Sequence, residues 1–390
     1  MLYPQYLLPE NRGAKIDLFP KIRNLRTEIL WHIYHMIPSK KQIHSLIHWY
    51  STIKRDFPWR KTIDPYLIWL SEIMLQQTRT EQGLPYYNKF TKRFPKVDKL
   101  ASASEETILK MWEGLGYYSR ARNLHKCAKV ISHEMQGEFP LSYEGLLDLP
   151  GVGPYTAAAI GSFAFENPTP VLDGNVKRVV SRVLSLHSEI ESKASKNALM
   201  DWLNLAIYHS KASTFNQAMM ELGALVCTPR SPNCTECPIN AGCSAFQNGN
   251  PSQFPIKLKK VKIKEWNLKW SAISTPKGWI MVQNFEGQIW KNLYRFPGEL
   301  MEGENCLSNE LPPLNCLGDL ESIGNPFRIT HLLSHRKLII EVLFYRSPFA
   351  DKLPSGYYYN PHQNLPVPVP VQKALDFISE QFSTPILQQK

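Results

Sequence analysis

The sequence predicts a two-part chain: a mostly helical first part closed by a metal-binding cysteine loop, followed by a smaller α+β part. Three observations carry this expectation. Residues 41–226 show helical periodicities broken by Gly and Pro, with few β-branched runs. Cys227, Cys234, Cys237 and Cys243 crowd into one short stretch, while Cys127, Cys306 and Cys316 are scattered. Beyond residue 266 the texture changes to short β-branched and aromatic segments between turns, as in WSAISTP, GWIMVQN and KLIIEVLFYR.

In order along the chain, residues 1–40 carry no chemical motif and read as an extension. The helical domain is expected over 41–226, the cysteine loop over 227–249, a basic linker over 250–266 and the α+β domain over 267–385. The linker assignment rests on six lysines between 257 and 269, a run usually solvated. The 390 residues suit two domains at roughly 100–200 each. With 45 basic against 34 acidic residues the net charge is +11, which favours a polyanionic partner such as nucleic acid, although a merely basic protein has the same balance. No apolar run approaches the ~20 residues of a membrane-spanning helix, and the first residues lack the pattern of a secretory signal. No membrane association and a cytoplasmic location are therefore expected.

The helix expected in IDPYLIWLSEIMLQQT (63–78) opens with Asp64 as cap and Pro65 in the first turn. Ile68, Glu72 and Leu75 then share one face, at i, i+4 and i+7. A carboxylate on an apolar face is costly to ionise, which is what a general acid near neutral pH requires; an ordinary solvated Glu is the plain alternative. Gln76, Gln77 and Thr78 end this helix with polar groups able to contact bases or phosphates.

LPGVGPYTAAAIGSFAF (149–165) places Gly151 and Gly153 in a turn and Pro154 at a helix start. This is the sequence form of a helix–hairpin–helix, whose backbone amides hold a DNA phosphate without reading sequence. The alternative is a tight turn between packed helices. VLDGNVKRVVSR (171–182) supplies Asp173, either the cap of the next helix or a second carboxylate working with Glu72. Two carboxylates of separated pKa are what cleavage of a glycosidic bond uses. The cysteines, spaced C-x6-C-x2-C-x5-C, fit zinc or a [4Fe-4S] cluster by ligand count. The spacing departs from the paired CxxC of a zinc ribbon and leans towards iron–sulfur.

Together these residues resemble the MutY family of adenine DNA glycosylases, within the endonuclease III superfamily. The resemblance runs through RDFPWR (55–60), SEIMLQQT (71–78), WEGLGYYSRARNLH (112–125), LPGVGPYTAAAI (149–160), LDGNVKR (172–178), FNQAMMELGALVC (215–227) and the four cysteines. It covers nearly everything after about residue 41, more weakly in the C-terminal part. It implies a helix–hairpin–helix glycosylase with a [4Fe-4S] cluster on Cys227, Cys234, Cys237 and Cys243. The implied activity is excision of adenine mispaired with 8-oxoguanine or guanine in double-stranded DNA by a monomeric enzyme, associated with the nucleoid if the source is bacterial.

Carried over by residue, Glu72 is implied as the general acid on adenine N7, Asp173 as the stabiliser of the positive sugar, and Asn175 as the group orienting Asp173. Tyr155 stands where bifunctional relatives place a Schiff-base lysine, which implies a monofunctional enzyme. Trp59, Arg60, Leu75 and Gln217 match positions around the flipped adenine. Gln77, Leu115 and Tyr117 match residues wedged into the duplex. The C-terminal part resembles a Nudix-like lesion-sensing domain in YRFPGELMEGE (294–304), without the metal-binding acidic signature of that fold. Leu333-Ser334-His335 stands where the family shows Phe-Ser-His; the change to Leu removes an aromatic edge and keeps the Ser334 and His335 donors. Two rivals remain: a bifunctional endonuclease III-type enzyme on oxidised pyrimidines, expected to carry Lys at 155, and a non-catalytic DNA-binding iron–sulfur protein, which gives Glu72 and Asp173 no reason to occur together.

Overall fold

The computed structural model describes residues 37–256, 263–284, 289–302, 314–333, 336–348, 352–360 and 364–381. Residues 1–36, Cys306, Ser334 and His335 lie outside the described residues, as does part of the expected linker. The helices are α1 Lys40–Ile53, α2 Pro65–Leu75, α3 Thr80–Arg93, α4 Val97–Ala101, α5 Glu105–Met111 and α6 Ser119–Glu134. They continue as α7 Tyr143–Leu147, α8 Pro154–Phe165, α9 Gly174–Val183, α10 Lys193–Ala206, α11 Ala212–Leu225, α12 Ser244–Gln247 and α13 Val369–Gln381. The strands are β1 Lys264–Thr275, β2 Gly278–Gln283, β3 Tyr294–Arg295, β4 Gly298–Glu302, β5 Glu321–Ser322, β6 Phe327–Leu332, β7 Arg336–Arg346 and β8 Tyr357–Asn360. Among the described residues no helix is long and apolar enough to cross a membrane.

The helical sequence 41–226 does not close as one body. One compact unit joins the segment ending at Lys54 to the chain from Leu172 to Lys257, and the other joins Arg55–Val171 to the chain from Leu258 onward. In the first, α1 begins where the Ser39 hydroxyl accepts from Gln42 N at 3.1 Å. It then buries Ile43, Leu46 and Tyr50, one stripe of a 3.6-residue period, in a core shared with Val176 and Val180 of α9, Trp202 of α10 and Phe215 of α11.

In the second unit α2–α8 enclose a core around Trp69, Phe90 and Trp112, and the chain from Lys264 onward forms a mixed sheet. The sheet order is β3-β2-β1-β7-β5, with β4 beside β1, β6 beside β7 and β8 beside β2. β1 and β7 run parallel from Lys264 opposite Arg336 to Ser274 opposite Arg346. The β-branched segments singled out by sequence are β1, β2 and β7, and α13 covers the sheet with Val371, Ala374 and Leu375.

The expected linker is shorter than its charge run suggests. Pro251–Gln253 forms a 3-10 turn, Phe254 is buried with its carbonyl accepting from Arg182 Nε at 3.1 Å, and Ile190 N donates to Ile256 O at 3.0 Å. Burial of Phe254 outweighs the neighbouring charge, so 250–256 folds into the first unit, while β1 already begins at Lys264.

Leu293 shows how closely the sheet region and α2–α8 are joined: it is fully buried and belongs to the helical core, and Trp290 packs against both cores. Leu293→Ala should therefore destabilise by about 2–5 kcal/mol, as for a fully enclosed leucine. Equilibrium unfolding measures this; a loss below about 1 kcal/mol would place Leu293 outside a packed core.

Candidate active site and cysteine loop

α2 starts as its sequence indicates, with Asp64 Oδ1 accepting from Tyr66 N at 2.9 Å and Pro65 in the first turn. From Ile68 to Met74 every residue is buried, Glu72 included at 6% exposure. A carboxylate there needs a donor. It comes from α8, where Tyr155 Oη donates to Glu72 Oε2 at 2.7 Å.

The hairpin aims that tyrosine. Ser142 caps α7, Gly151 takes φ +77°, and Gly153 caps α8 ahead of Pro154. A Cβ on Gly151 would meet Asn123 at 2.6 Å, so both the turn and the close approach require glycine, whereas a Cβ on Gly153 would meet open space. α8 packs against α2, and Gln76 Nε2 donates to Thr156 Oγ1 at 3.2 Å.

Beyond the end of α2, Gln77 (φ 57°) and Tyr117 (φ 47°) are both exposed and left-handed, flanked by Gly114 and Gly116 at positive φ. They line one cleft of about 250 Å³ with Gln76, Asn123 and Gly151. Arg120 organises this region. It is 8% exposed and donates to the carbonyls of Ile73 (3.0 Å), Met74 (2.8 Å), Leu115 (3.2 Å) and Gly116 (3.2 Å), to that of Gln76, and to Thr78 Oγ1 at 3.2 Å. Burial lowers its pKa to about 10, which leaves it charged at neutral pH. Thr78 Oγ1 accepts one of the Arg120 bonds, and Leu115, which matches a wedge position, is buried in the helical core within the Gly114–Gly116 turn.

Around the expected adenine pocket, Trp59 stacks on Phe57 at 4.8 Å and meets Tyr87 edge-on at 5.1 Å. Arg60 lies over Phe57 at 5.3 Å and donates to Arg55 O at 3.0 Å; Leu75 is half-buried. These residues share the second unit with Glu72, whereas Gln217, which accepts from Tyr50 Oη at 2.6 Å, belongs to the first with Asp173.

Asp173 does cap α9, its Oδ1 accepting from Val176 N at 2.6 Å and its Oδ2 from Asn175 Nδ2 at 3.0 Å. Burial pushes its carboxyl above the ordinary Asp value, against the opposing pull of those two donors. Arg178 extends the line, donating to Asn175 Oδ1 at 2.9 Å, Gly223 O at 2.7 Å and Cys227 O at 2.8 Å. Arg182 reaches Cys227 Sγ at 3.2 Å and the carbonyls of Thr228 (2.7 Å) and Pro229 (2.9 Å). Sequence reading missed Arg120, Arg178 and Arg182; the available signal was arginine among buried valines at i and i+4 in α9 and within GLGYYSRAR.

The four clustered cysteines are free thiols lining one cavity with Arg182 and Phe246. Four thiols around one space supply the ligand count of an iron–sulfur cluster. Burial pushes Cys237 up to about 12 and Cys243 up to about 11, and raises Cys234. Their ionisation therefore needs a cationic partner such as bound iron.

Residues 70–205 match the HhH-GPD superfamily of base excision DNA repair proteins, and 227–243 match the iron-sulfur binding domain of endonuclease III. The chain accordingly binds an iron–sulfur cluster through this loop. Cys237→Ser should bleach the straw-brown protein and remove iron from the about four atoms per chain of a [4Fe-4S] centre. Full iron content in that variant, measured by metal analysis, would remove Cys237 from the ligands. Adenine DNA glycosylase of Buchnera aphidicola subsp. Schizaphis graminum is 33% identical over 338 residues, covering 85% of this chain and 96% of the relative. That of Buchnera aphidicola subsp. Baizongia pistaciae is 35% identical over 345 residues, covering 86% and 96%. The Homo sapiens adenine DNA glycosylase is 41% identical over 218 residues, 54% of this chain and 40% of the relative. On this likeness, over nearly the whole length of the two bacterial relatives, the chain belongs to the adenine DNA glycosylase family of DNA-binding, base-excision-repair enzymes.

Proposed function

We propose that the protein is a monomeric, monofunctional glycosylase that releases adenine paired with 8-oxoguanine or guanine. The observation that carries this reading is the 2.7 Å hydrogen bond from Tyr155 to Glu72, a buried carboxyl held by a phenol where a lyase would need an amine.

An adenine inside the stack is out of reach of an enclosed acid, so the nucleotide is extruded. Glu72 in its acid form transfers its proton to adenine N7, the C1′–N9 bond breaks, and the base leaves with the bonding pair. The Asp173 carboxylate, oriented by Asn175, balances the positive charge growing on the sugar. Glu72, now ionised, takes a proton from the water that attacks C1′, which restores the acid. Tyr155 keeps the carboxyl aimed throughout and, as a phenol, cannot form an imine with the abasic sugar. Trp59, Arg60, Leu75 and Gln217 are the proposed adenine surroundings. The cluster, read as [4Fe-4S], braces the loop after α11; this hydrolysis transfers no electrons.

Gly151 and Gly153 present the hairpin amides to a phosphate, and Gln77 and Tyr117 fill the gap left in the duplex. We read the C-terminal sheet with α13 as a Nudix-like module whose role is binding, because the acidic signature of that fold is missing. Ser334 and His335 of that module are the proposed donors to the oxidised guanine.

The test is single-turnover base release from duplexes with adenine opposite 8-oxoguanine, guanine or thymine. The expected order is fastest release opposite 8-oxoguanine, slower opposite guanine and least opposite thymine, without strand nicking. Glu72→Gln should keep mispair binding and lose roughly 10²–10⁴ in rate, the worth of a positioned general acid. Near-normal release by that variant would move the acid elsewhere, and abundant borohydride-trapped adduct in the unmutated protein would overturn the monofunctional reading.

A further inference from the structure

The loop carrying Tyr117 is held from two sides. On its inner side Arg120 binds the Leu115 and Gly116 carbonyls and lies over the Tyr117 ring at 5.7 Å. On its other side it meets a strap of the C-terminal region, residues 364–368, immediately before α13. Tyr118 is 7% exposed and donates to Val367 O at 3.0 Å. Glu113 accepts from Val367 N at 3.1 Å and pairs with Lys110 at 2.7 Å, and Lys110 reaches Leu365 O at 3.3 Å. The strap is in turn tied to the sheet, since Tyr294 N donates to Pro366 O at 2.9 Å.

Two features make this more than a docking contact. The hydrogen bonds described between strap and loop use the main chain of the strap, so the loop responds to where the strap lies. Tyr118 also directly follows Tyr117, whose left-handed backbone a non-glycine residue keeps only where its surroundings impose it. Burial, with the Glu113 carboxylate nearby, keeps the Tyr118 phenol protonated and therefore a donor.

We propose that the strap is a clamp that sets mispair specificity: the C-terminal region acts on the lesion through Glu113 and Tyr118, as positioning residues that fix Tyr117, in addition to any direct contact with the oxidised base. This rests on the reading above that Tyr117 enters the duplex beside the lesion.

The experiment is a double-mutant cycle in the full-length protein, with single-turnover rates on adenine opposite 8-oxoguanine and opposite guanine. Tyr118→Phe removes one hydrogen bond and should lower the ratio of the two rates by about two- to tenfold. In a Tyr117→Ser background it should change the ratio no further, because its effect passes through Tyr117. Asn292→Ala, which removes a neighbouring bond to Glu105 of 2.8 Å without touching the strap, should leave the ratio unchanged. Should Tyr118→Phe fail to fold, Glu113→Gln weakens the same clamp and should shift the ratio in the same direction. An unchanged ratio, the same loss in both Tyr117 backgrounds, or an equal loss from Asn292→Ala would each overturn the clamp. Equal rates on the two duplexes in the unmutated protein would overturn the lesion reading itself, and the clamp with it.

Discussion

Burying Glu72 on α2 constrains much of what surrounds it. An ionisable group among Ile68, Ile73 and Met74 survives only with a partner, because removal from water penalises its charged form by several kcal/mol. The partner lies far along the chain, at Tyr155, and reaches Glu72 only if α8 leaves its hairpin in one direction. The left-handed Gly151 and the Pro154 start both serve that approach. The turn that aims Tyr155 is also the turn proposed to hold the DNA backbone, so the proposed acid and the proposed phosphate contact meet at one hairpin.

Buried arginines solve a second problem. A helix ends with carbonyls that have no intrahelical donor, and inside a protein these need other partners. Arg120 supplies them for Ile73, Met74 and Gln76 at the end of α2 and also gathers the Leu115–Gly116 turn. Arg178 and Arg182 do the same between α9 and the cysteine loop, carrying a hydrogen-bonded line from Asp173 to Cys227. Loss of the loop would leave those guanidinium groups buried with fewer acceptors, which links the order of the Asp173 cap to the integrity of the iron–sulfur loop.

Local chemistry was legible in the sequence. Asp64-Pro65 announced the helix start, LPGVGP specified the hairpin, and β-branched runs marked β1, β2 and β7, whereas α2 is buried on all sides and not on the one face its spacing suggested. The misreadings concern burial and long-range partners. The 250–256 segment looked like linker because lysines masked the apolar pull of Phe254. Arg120 went unremarked, since its acceptors lie up to 47 positions away. The discontinuous units were not legible at all, because contacts such as Leu293 in the helical core depend on tertiary packing.

The proposed role of Tyr155 is to keep the buried Glu72 carboxyl ready to protonate adenine through their 2.7 Å hydrogen bond. Tyr155→Phe removes the phenol oxygen and little else, so the most direct measurement is its single-turnover rate of adenine release beside its affinity for the uncleaved mispair. A hydrogen bond to an ionisable partner is worth about 1.5–3 kcal/mol, so release should slow by roughly tenfold to a hundredfold while affinity stays within about twofold. Release at the unmutated rate, or a loss confined to affinity, would contradict the account.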